Sequence, residues 1–599
     1  MSLLAELKRR NVLRVFVAYL AGAWLLLQIA DVVLPRLGVS DRVLTILIIV
    51  VAIGFVPAVV ISWAFEWTSE GLKRDADVVP GESIAPQTGK TLDRVIMVAL
   101  VLAASFFAFD KFVLDPARDV VREDAAEQRG RIDALIESYG DRSIVVLPFV
   151  NMSSDPEQDY FSDGISEEIL NLLAKIRELR VISRSTAFAY RGEVHVPTVA
   201  EELDVAYVLE GSVRMAGNTV RITAQLIDAR VDAHVWSETW DREMVDIFEI
   251  QDDVARNVAD QLQLALLGQR LESQKVDPDL YIEYLQLKNE VGGRMATAKT
   301  IRRLERLIES APEYVPAIVL LGNAYYYSSG NWASALYEPE QGHELAAAMI
   351  RRALMVEPDH GPANAYSGWI EAINNRDLHS AARHLQRAFE LEPGNAEVLW
   401  LVGIFARAIG RFEDAIRLGE MSVARDPACS VCYRDLGHAY KQGGDYARAE
   451  WAYRERMRFI SGGWISVGWT LLLRGRYEEA LDAMSRQTDE SDDYLPYLAM
   501  VYFSQGRIGD YDDSVQQLLD GNAEKMPVAM AWLFAWSGDV DRGFEWLEKA
   551  LAAGDGIQYF YWDPFYENLR QDPRWPDFIA PYWFTEEELK AVEFELFAD

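Results

Sequence analysis

The residue types best suited to chemistry are one pair of cysteines, Cys429 and Cys432, spaced as C-x-x-C. In an oxidising compartment the two thiols could form a local disulfide, and together they could supply half of a zinc site. A redox enzyme would need this pair in a thioredoxin-like βαβ setting, whereas the surrounding pattern is a helical repeat. Structural packing or an incidental disulfide is the favoured interpretation, with redox and metal roles as alternatives.

Two further fragments resemble nucleotide or zinc motifs but break the required spacing. In Thr88–Thr91 (TGKT) the preceding glycine is Gly81, too far away for a phosphate-binding loop. In His343–Ala347 (HELAA), Ala347 stands where a zinc protease places its second histidine ligand. Neither fragment predicts nucleotide binding or zinc binding.

A third fragment alternates carboxylates in the manner of a calcium loop. Asp155, Glu157 and Asp159 have this spacing, but Tyr160 stands where the loop needs glycine and Ser166 where it needs a bidentate glutamate. A solvated turn before a helix explains the fragment better. We therefore predict no catalytic residue, no metal site, no cofactor-binding residue and no cofactor.

Length and charge restrict the class of protein. A chain of 599 residues is too long for one hydrophobic core, so several domains are expected. Its formal net charge of −34 would repel a phosphate backbone, which excludes nucleic acid as a predicted partner. With two cysteines, no disulfide framework holds the fold together.

The first part of the chain has the apolar runs of a membrane protein. Val15–Leu34 and Val43–Trp63 each reach the length that a helix needs to cross the hydrocarbon, and Val95–Phe109 is extended by apolar residues up to Leu114. We predict a three-helix transmembrane anchor over residues 1–115. A cleaved signal peptide fits poorly, because more spans follow the first one.

The distribution of lysine and arginine predicts the orientation of this anchor. Basic residues precede the first span and lie between the second and third spans: Lys8, Arg9, Arg10, Arg14, Lys73, Arg74, Lys90 and Arg94. The loop between the first two spans holds only Arg36 and Arg42. The positive-inside rule therefore places the amino terminus in the cytoplasm of a bacterium and the C-terminal domains in the periplasm.

Residues 116–140 read as a charged stalk, and residues 141–270 as a small α/β domain, since strand and helix patterns alternate there. The helix that contains Ile165 could be capped by Asp163 or Ser166. The predicted strands are Ile144–Phe149, Val181–Ser183, Tyr207–Arg214, Thr219–Asp228 and His234–Trp240, and the other predicted helices are Val199–Leu203 and Ile247–Leu267.

Two stretches of this domain carry a family resemblance. SIVVLPFVNMSSDPEQDYFSDGISEEILNLLAKIRELRVISRSTAFAY and DVAYVLEGSVRMAGNTVRITAQLIDARVDAHVWSETWDRE resemble the TolB amino-terminal-like (FlgO-like) domain. The opening ELKRRNVLRVFVAYLAGAWLLLQIADVVLP resembles the membrane-anchored members, in which tetratricopeptide repeats follow the domain. The resemblance implies this architecture rather than an activity. Relatives that carry cyclase or winged-helix domains do not lend those functions to this chain.

Residues 277–599 show a repeat. Glycines recur at intervals of 34, 31, 31 and 32 residues, between helical patterns, at Gly410, Gly444, Gly475, Gly506 and Gly538. This spacing indicates tetratricopeptide-type helix pairs stacked into an all-α superhelix with a concave groove. Seven residues earlier, Gly403, Gly437 and Gly468 mark positions where two helices would approach closely, and the signature glycine is replaced at Asn375, Ala499 and Ala531.

Aromatic residues crowd the carboxyl end, at Tyr559, Phe560, Tyr561, Trp562, Phe565, Tyr566, Trp575 and Trp583. We interpret them as a hydrophobic cap on the last repeat, finished by the acidic Glu586–Glu588. A ligand-binding aromatic patch is the alternative.

Together these features predict a membrane-anchored, non-catalytic interaction scaffold whose repeat groove binds a protein or peptide. A transmembrane sensor that acts through a separate output partner is the second hypothesis. An enzyme with its site in the α/β domain, around Asp163–Glu168, is the third.

Overall fold

The computed structural model describes the chain in segments. These are residues 129–155, 158–192, 195–262, 274–291, 296–329, 335–460, 462–486, 494–521 and 523–597, the strands at 65–68 and 71–74, and single positions between 16 and 57 and at 97. The chain divides into two compact units, residues 1–123 and 124–599, and each is described separately.

In the first unit, β1 (Phe65–Thr68) and β2 (Gly71–Arg74) form an antiparallel hairpin, which the sequence pattern does not predict. Most of the three predicted spans lies outside the described residues. Among the residues that are described, no helix combines the length and apolar content required to span a bilayer.

The second unit begins with helical residues 129–139, followed by an α/β domain. The domain contains β3 (Ser143–Val146), β4 (Val150–Asn151), α1 (Asp159–Ala174), β5 (Arg180–Val181), α2 (Arg184–Ala187), α3 (Val196–Leu203), β6 (Tyr207–Ala216), β7 (Thr219–Asp228), β8 (Ala233–Glu243) and α4 (Ile247–Gln261). Its sheet has the order β5-β3-β6-β7-β8, with β4 also pairing β6. The strands β5, β3 and β6 are parallel, and β6, β7 and β8 are antiparallel.

Strand β3 is buried on both faces, as expected for a parallel strand covered by helices. Ile144 and Val146 pack into the core that contains α1 and α4, whereas Val145 packs with Val199 and Leu203 of α3. The alternating pattern that predicts β7 gives its bounds correctly, while β6 and β8 extend beyond the predicted residues.

The predicted start of α1 is wrong. The helix begins at Asp159, so Asp163 and Ser166 lie inside it and do not cap it. Asp163 instead pairs with Arg191, with 2.7 Å between the nearest oxygen and nitrogen. The Ser166 hydroxyl donates to the Ser162 carbonyl and accepts the Phe149 amide, an arrangement that ties α1 to the sheet edge.

Among the described residues from 278 to 552, the regular elements are helices joined by turns and short loops. The helices are α5 (Pro278–Val291), α6 (Ala298–Ser310), α7 (Val315–Tyr327), α8 (Pro339–Val356), α9 (Gly361–Ile370), α10 (Leu378–Leu391), α11 (Ala396–Ala408), α12 (Phe412–Arg425), α13 (Ser430–Gln442), α14 (Tyr446–Arg456), α15 (Trp464–Leu473), α16 (Tyr477–Ser485), α17 (Leu495–Ser504), α18 (Ile508–Asp520), α19 (Pro527–Trp536) and α20 (Val540–Ala552). From α7 onward they pack as consecutive pairs. The prediction of a tetratricopeptide-like all-α superhelix is confirmed.

The periodic glycines link the two helices of the last five pairs, from α11–α12 to α19–α20. All five have positive φ, between 71° and 87°, which glycine adopts without the steric cost that other residues meet. In the pair α9–α10 this position is Arg376, with φ of 53°, after a π-helical turn at Glu371–Asn375. The replaced glycine is therefore at Arg376 rather than at Asn375.

The glycines seven residues earlier differ in their packing. A Cβ on Gly437 would lie 2.5 Å from the Tyr453 ring, and one on Gly468 would lie 2.5 Å from Met484. At Gly403 the nearest atom would be 3.7 Å away. Close helix approach explains the first two positions but not Gly403.

After α20 the chain does more than cap the last repeat. This C-terminal segment (residues 557–597) contains α21 (Glu567–Arg570), α22 (Trp575–Ile579) and α23 (Glu586–Lys590). Trp575 packs on Phe544 of α20, as a cap would. The segment also runs back along earlier repeats, where the Trp562 indole donates to the Ala408 carbonyl and Phe594 packs on Phe405. The reason is that inward-facing aromatic residues of the repeats offer apolar surface for it to cover.

Candidate functional site

The α/β domain rests against the repeats through a polar junction at the end of α12. Arg180 is fully buried, and its guanidinium donates to the carbonyls of Ala424, Asp204 and Leu203. Burial lowers the Arg180 pKa to about 10. The Asp426 carboxylate accepts hydrogen bonds from the hydroxyls of Ser185 and Thr186 on α2.

Two further contacts bring α1 close to the repeats. A Cβ on Gly394 would lie 2.3 Å from the Ala174 carbonyl oxygen, so only glycine permits this approach. Lys288 of α5 pairs with both Glu168, at 2.7 Å, and Glu167, at 3.2 Å. The α/β domain is therefore seated on the repeat array and covers part of its concave face.

The C-terminal segment covers another part of that face through a buried ion pair. Lys441 and Asp563 are 0% and 2% exposed, and their side chains approach to 2.6 Å. The Lys441 ammonium also lies 4.6 Å from the Trp469 ring centroid and 5.3 Å from that of Trp532. Burial is the main cause that lowers the Lys441 pKa.

Between the α/β domain and the repeats lies the first cavity, of about 770 Å³. One wall is the face of α1 that carries Glu168 and Asn171. The other walls are formed by repeat residues, among them Asn323, Tyr327, Glu397, Trp400, Arg407 and Asp435. Burial raises the Glu397 pKa, opposed in part by the hydrogen bond from Tyr366.

Between the repeats and the C-terminal segment lies the second cavity, of about 450 Å³. Its walls are mainly aromatic, formed by Tyr326, Trp369, Trp469, Trp532, Tyr559 and Phe560. The two cavities share lining residues Tyr327, Trp400, Ile404, Arg407 and Asp435. The concave face thus carries adjoining cavities, each completed by a different part of the same chain.

Arg407 on α11 lies at the boundary of these cavities. It is 7% exposed, yet its guanidinium forms no hydrogen bond or ion pair with any residue that the structure describes. Burial lowers the Arg407 pKa. Its neighbour Asp435 is already engaged, since one oxygen accepts the Trp400 indole at 3.0 Å and the other accepts Arg434 at 2.9 Å.

Arg407 shares the second cavity with the cations Arg434 and Lys441 and with the carboxylates of Asp435 and Asp563. His438 is paired with the Tyr453 hydroxyl at 2.9 Å and its pKa lies well below the usual value. Burial is the largest cause, followed by the charges of Arg407, Lys441 and Arg434. The arrangement therefore suits the binding of an anion rather than acid–base catalysis by this histidine at neutral pH.

The structure also places the residues that the sequence singled out for chemistry. Cys429 and Cys432 are bonded to each other, and the Cys429 sulfur caps α13 by accepting the Cys432 amide. Asp426 lies near both sulfurs, but its oxygens already accept the α2 hydroxyls. The structure therefore contains a local disulfide, in agreement with the favoured interpretation of this cysteine pair.

Of the remaining sequence fragments, Thr88–Thr91 lies outside the described residues. His343 is stacked on Tyr326, with ring centroids 4.8 Å apart. Asn151 donates to the Asp155 carbonyl and to the Asp159 carboxylate, while Glu157 lies outside the described residues. Sequence reasoning did not find Arg407, because one arginine near a helix end carries no signal of burial.

Comparison with known proteins gives two partial sequence matches. Residues 140–257 match the model of the HilA/YgeH-like transcriptional regulator, second domain. A curated relative named putative adenylate cyclase 3, from Rhizobium meliloti (strain 1021), is 44% identical over 177 residues. That match covers 28% of this chain, and the chain spans about 30% of the relative.

Solved structures with helical repeats also match parts of the chain. The pilF protein of Pseudomonas aeruginosa is 18% identical, with a TM-score of 0.28 over 34% of this chain and 90% of its own. A tetratricopeptide repeat protein from Parabacteroides merdae is 15% identical, with a TM-score of 0.32 over 44% of this chain and 98% of its own. The chain is therefore similar in part to several proteins, and its repeat fold rests on its own helix geometry.

Proposed function

We propose that this chain is a non-catalytic binding scaffold of the bacterial inner membrane, whose repeats bind a protein or peptide partner in the periplasm. The observation that carries the proposal is the first cavity, where the concave face of the repeats and the α/β domain together leave about 770 Å³. Repeat arrays bind partner segments on such faces without a cofactor.

Membrane anchoring is part of the proposal. It is supported by the three apolar runs within residues 1–115 and by the resemblance of residues 6–35 to anchored members of the TolB amino-terminal-like (FlgO-like) group. The periplasmic compartment is supported by the distribution of basic residues and by the Cys429–Cys432 disulfide, since disulfides persist in oxidising compartments.

The compartment is tested with reporter fusions. Alkaline phosphatase, which is active only outside the cytoplasm, is joined after Leu114, and a fluorescent protein that matures in the cytoplasm is joined at the same position. We expect phosphatase activity from the first fusion and no fluorescence from the second. The reverse pattern would overturn the periplasmic proposal.

Partner binding is tested with two matched tryptophan variants of the full-length chain. Trp400 and Trp536 are both half-buried, and each indole donates one hydrogen bond, to Asp435 and to Ser504 respectively. Only Trp400 lines the cavities. Crosslinked pull-down should recover a reproducible partner with the wild type and Trp536→Ala but not with Trp400→Ala. Equal recovery with both variants would contradict binding in the concave face.

A second candidate function is a sensor in which ligand binding changes the junction between the α/β domain and the repeats. The specific observation is that Glu168 of α1 and Trp400 of α11 line the same cavity, so one ligand could contact both parts. Ligand-dependent protection of residues 180–187 in hydrogen exchange would favour the sensor. Unchanged exchange on ligand binding would favour the scaffold. The cyclase named for the partial relative is not carried over, because the match covers a fraction of either protein.

A further inference from the structure

The buried, unpartnered guanidinium of Arg407 has an energetic consequence. A buried charge normally has an ion-pair or hydrogen-bond partner, because removing an ion from water costs several kcal/mol without compensation. Arg407 is 7% exposed and has no such partner among the described residues. Its charge therefore weakens the fold unless an anion accompanies it.

The neighbouring carboxylate of Asp435 attracts this charge, but no carboxylate among the described residues forms a hydrogen bond or ion pair with Arg407. Both oxygens of Asp435 already accept hydrogen bonds, from Trp400 and Arg434. Asp563 accepts the Lys441 ammonium and the Phe565 amide. The anion for Arg407 must come from outside these residues, through one of the two cavities that Arg407 lines.

The chemistry of the walls indicates the rest of the ligand. A guanidinium presents a planar fork of donors that matches a carboxylate or phosphate group through two parallel hydrogen bonds. Beside it stand the aromatic side chains of Tyr327, Trp369 and Trp400, which favour a flat apolar body. Volumes of about 450 and 770 Å³ lie in the usual range of small-molecule sites.

We propose that Arg407 anchors a binding site for a small organic acid, in which an oxyanion is joined to an aromatic or similarly flat apolar body. The oxyanion pairs with Arg407, and the body lies against Trp400 and its aromatic neighbours. This goes beyond the proposed scaffold function and holds whether or not a protein partner binds.

The proposal is tested by calorimetry on the full-length chain in detergent, with three probes. Indole-3-acetate supplies a carboxylate, phenyl phosphate supplies a phosphate, and indole-3-acetamide is a neutral control of the same shape as the first. At least one of the two acids should bind about tenfold or more tightly than the amide. Which of them binds more tightly identifies the oxyanion. Equal affinity for acid and amide, or no acid bound at about 1 mM, would overturn the proposal.

Two arginine variants separate binding from a structural role. Arg407→Met should lose acid binding about tenfold or more while its thermal midpoint stays unchanged or rises, because a buried unpaired charge is removed. Arg425 is also buried and lines the first cavity, but its guanidinium donates to the Tyr139 hydroxyl and the Met421 carbonyl. Arg425→Met should therefore lower the thermal midpoint.

Three experimental outcomes would count against the proposed acid-binding site. Destabilisation by Arg407→Met that matches Arg425→Met would assign Arg407 a structural role. Unchanged acid binding in Arg407→Met would place the anion elsewhere. Binding of an acidic peptide without binding of either small acid would transfer the site to the protein partner, which leaves the scaffold function intact and removes the small-ligand proposal.

Discussion

Two parts of the chain cover the concave face of the repeats, and a different set of contacts holds each of them there. The α/β domain is joined through the hydrogen bonds of Arg180 and Asp426 and through apolar contacts such as Phe248 on Tyr281. The C-terminal segment is joined through aromatic packing, the Lys441–Asp563 pair and hydrogen bonds from Arg376 to three backbone carbonyls of the segment.

The α/β domain and the C-terminal segment lose different contacts when they separate from the repeats. Hydrogen bonds at the α/β junction are exchanged for hydrogen bonds to water when it separates, so each contributes only about 1 kcal/mol net. Separating the C-terminal segment would expose aromatic surface, at a cost that grows with the apolar area exposed. We infer that the C-terminal segment depends on the buried ion pair, whereas the α/β junction depends on hydrogen bonds and apolar packing together.

The largest effect is expected from Asp563→Ala, which removes the buried ion pair of the C-terminal segment. The substitution leaves the Lys441 ammonium buried without its partner, so we expect the free energy of unfolding to fall by about 3–5 kcal/mol. Urea denaturation followed by tryptophan fluorescence measures the loss. The double variant Lys441→Met/Asp563→Leu should recover most of it, because both charges are gone. A loss by Asp563→Ala that the double variant does not recover would mean that the ion pair is not the cause.

A smaller effect is expected at the α/β junction from Asp426→Ala. Asp426 is 5% exposed, and its removal leaves the hydroxyls of Ser185 and Thr186 without their acceptor. We expect a loss of about 2 kcal/mol, with faster hydrogen exchange confined to the junction. Faster exchange across the C-terminal segment in this variant would show that the two covers are not independent.

Two glycines sharpen the comparison on the side of the C-terminal segment. Gly410 and Gly444 both have positive φ, so alanine at either position should cost about 1–2 kcal/mol. A Cβ on Gly410 would also lie 2.9 Å from the Trp562 ring, whereas a Cβ on Gly444 would meet open space. Thermal denaturation should therefore show a greater loss for Gly410→Ala, by about 1 kcal/mol. Equal losses of stability would mean that the Trp562 ring moves away from the added Cβ without a loss of packing energy.

The last expected effect is a pH dependence of stability from His438. Its folded pKa lies below the usual value, so the unfolded chain binds the proton more readily. Stability is fully present above the ordinary histidine pKa and falls as the pH drops below it, by at most about 1.4 kcal/mol per pH unit. Urea titrations at pH 7 and pH 5 should show a flatter pH dependence for His438→Gln than for the wild type. Identical slopes would exclude His438 as a contributor.

Much of the repeat architecture could be predicted because its cause is local. A turn between two helices needs positive φ, and glycine at Gly444, Gly475 and Gly506 satisfies it, so the spacing is legible in the sequence. Before Arg376 the turn is longer and has no glycine. The residue with positive φ is therefore Arg376, one position after the predicted Asn375. The start of α1 was missed for a related reason, since Asp163 resembles a cap in sequence while its partner, Arg191, is distant along the chain.

The sequence by itself determined the α/β domain, the bounds of its strand β7 and the tetratricopeptide-like helix pairs, because periodicity and turn chemistry are properties of neighbouring residues. Only the tertiary structure decided that the C-terminal aromatics return along the concave face, that Lys441 meets Asp563, and that Arg407 is buried beside two cavities without a partner. Each of these depends on residues far apart in the chain being brought together, and no local pattern records which charge will be paired and which will not.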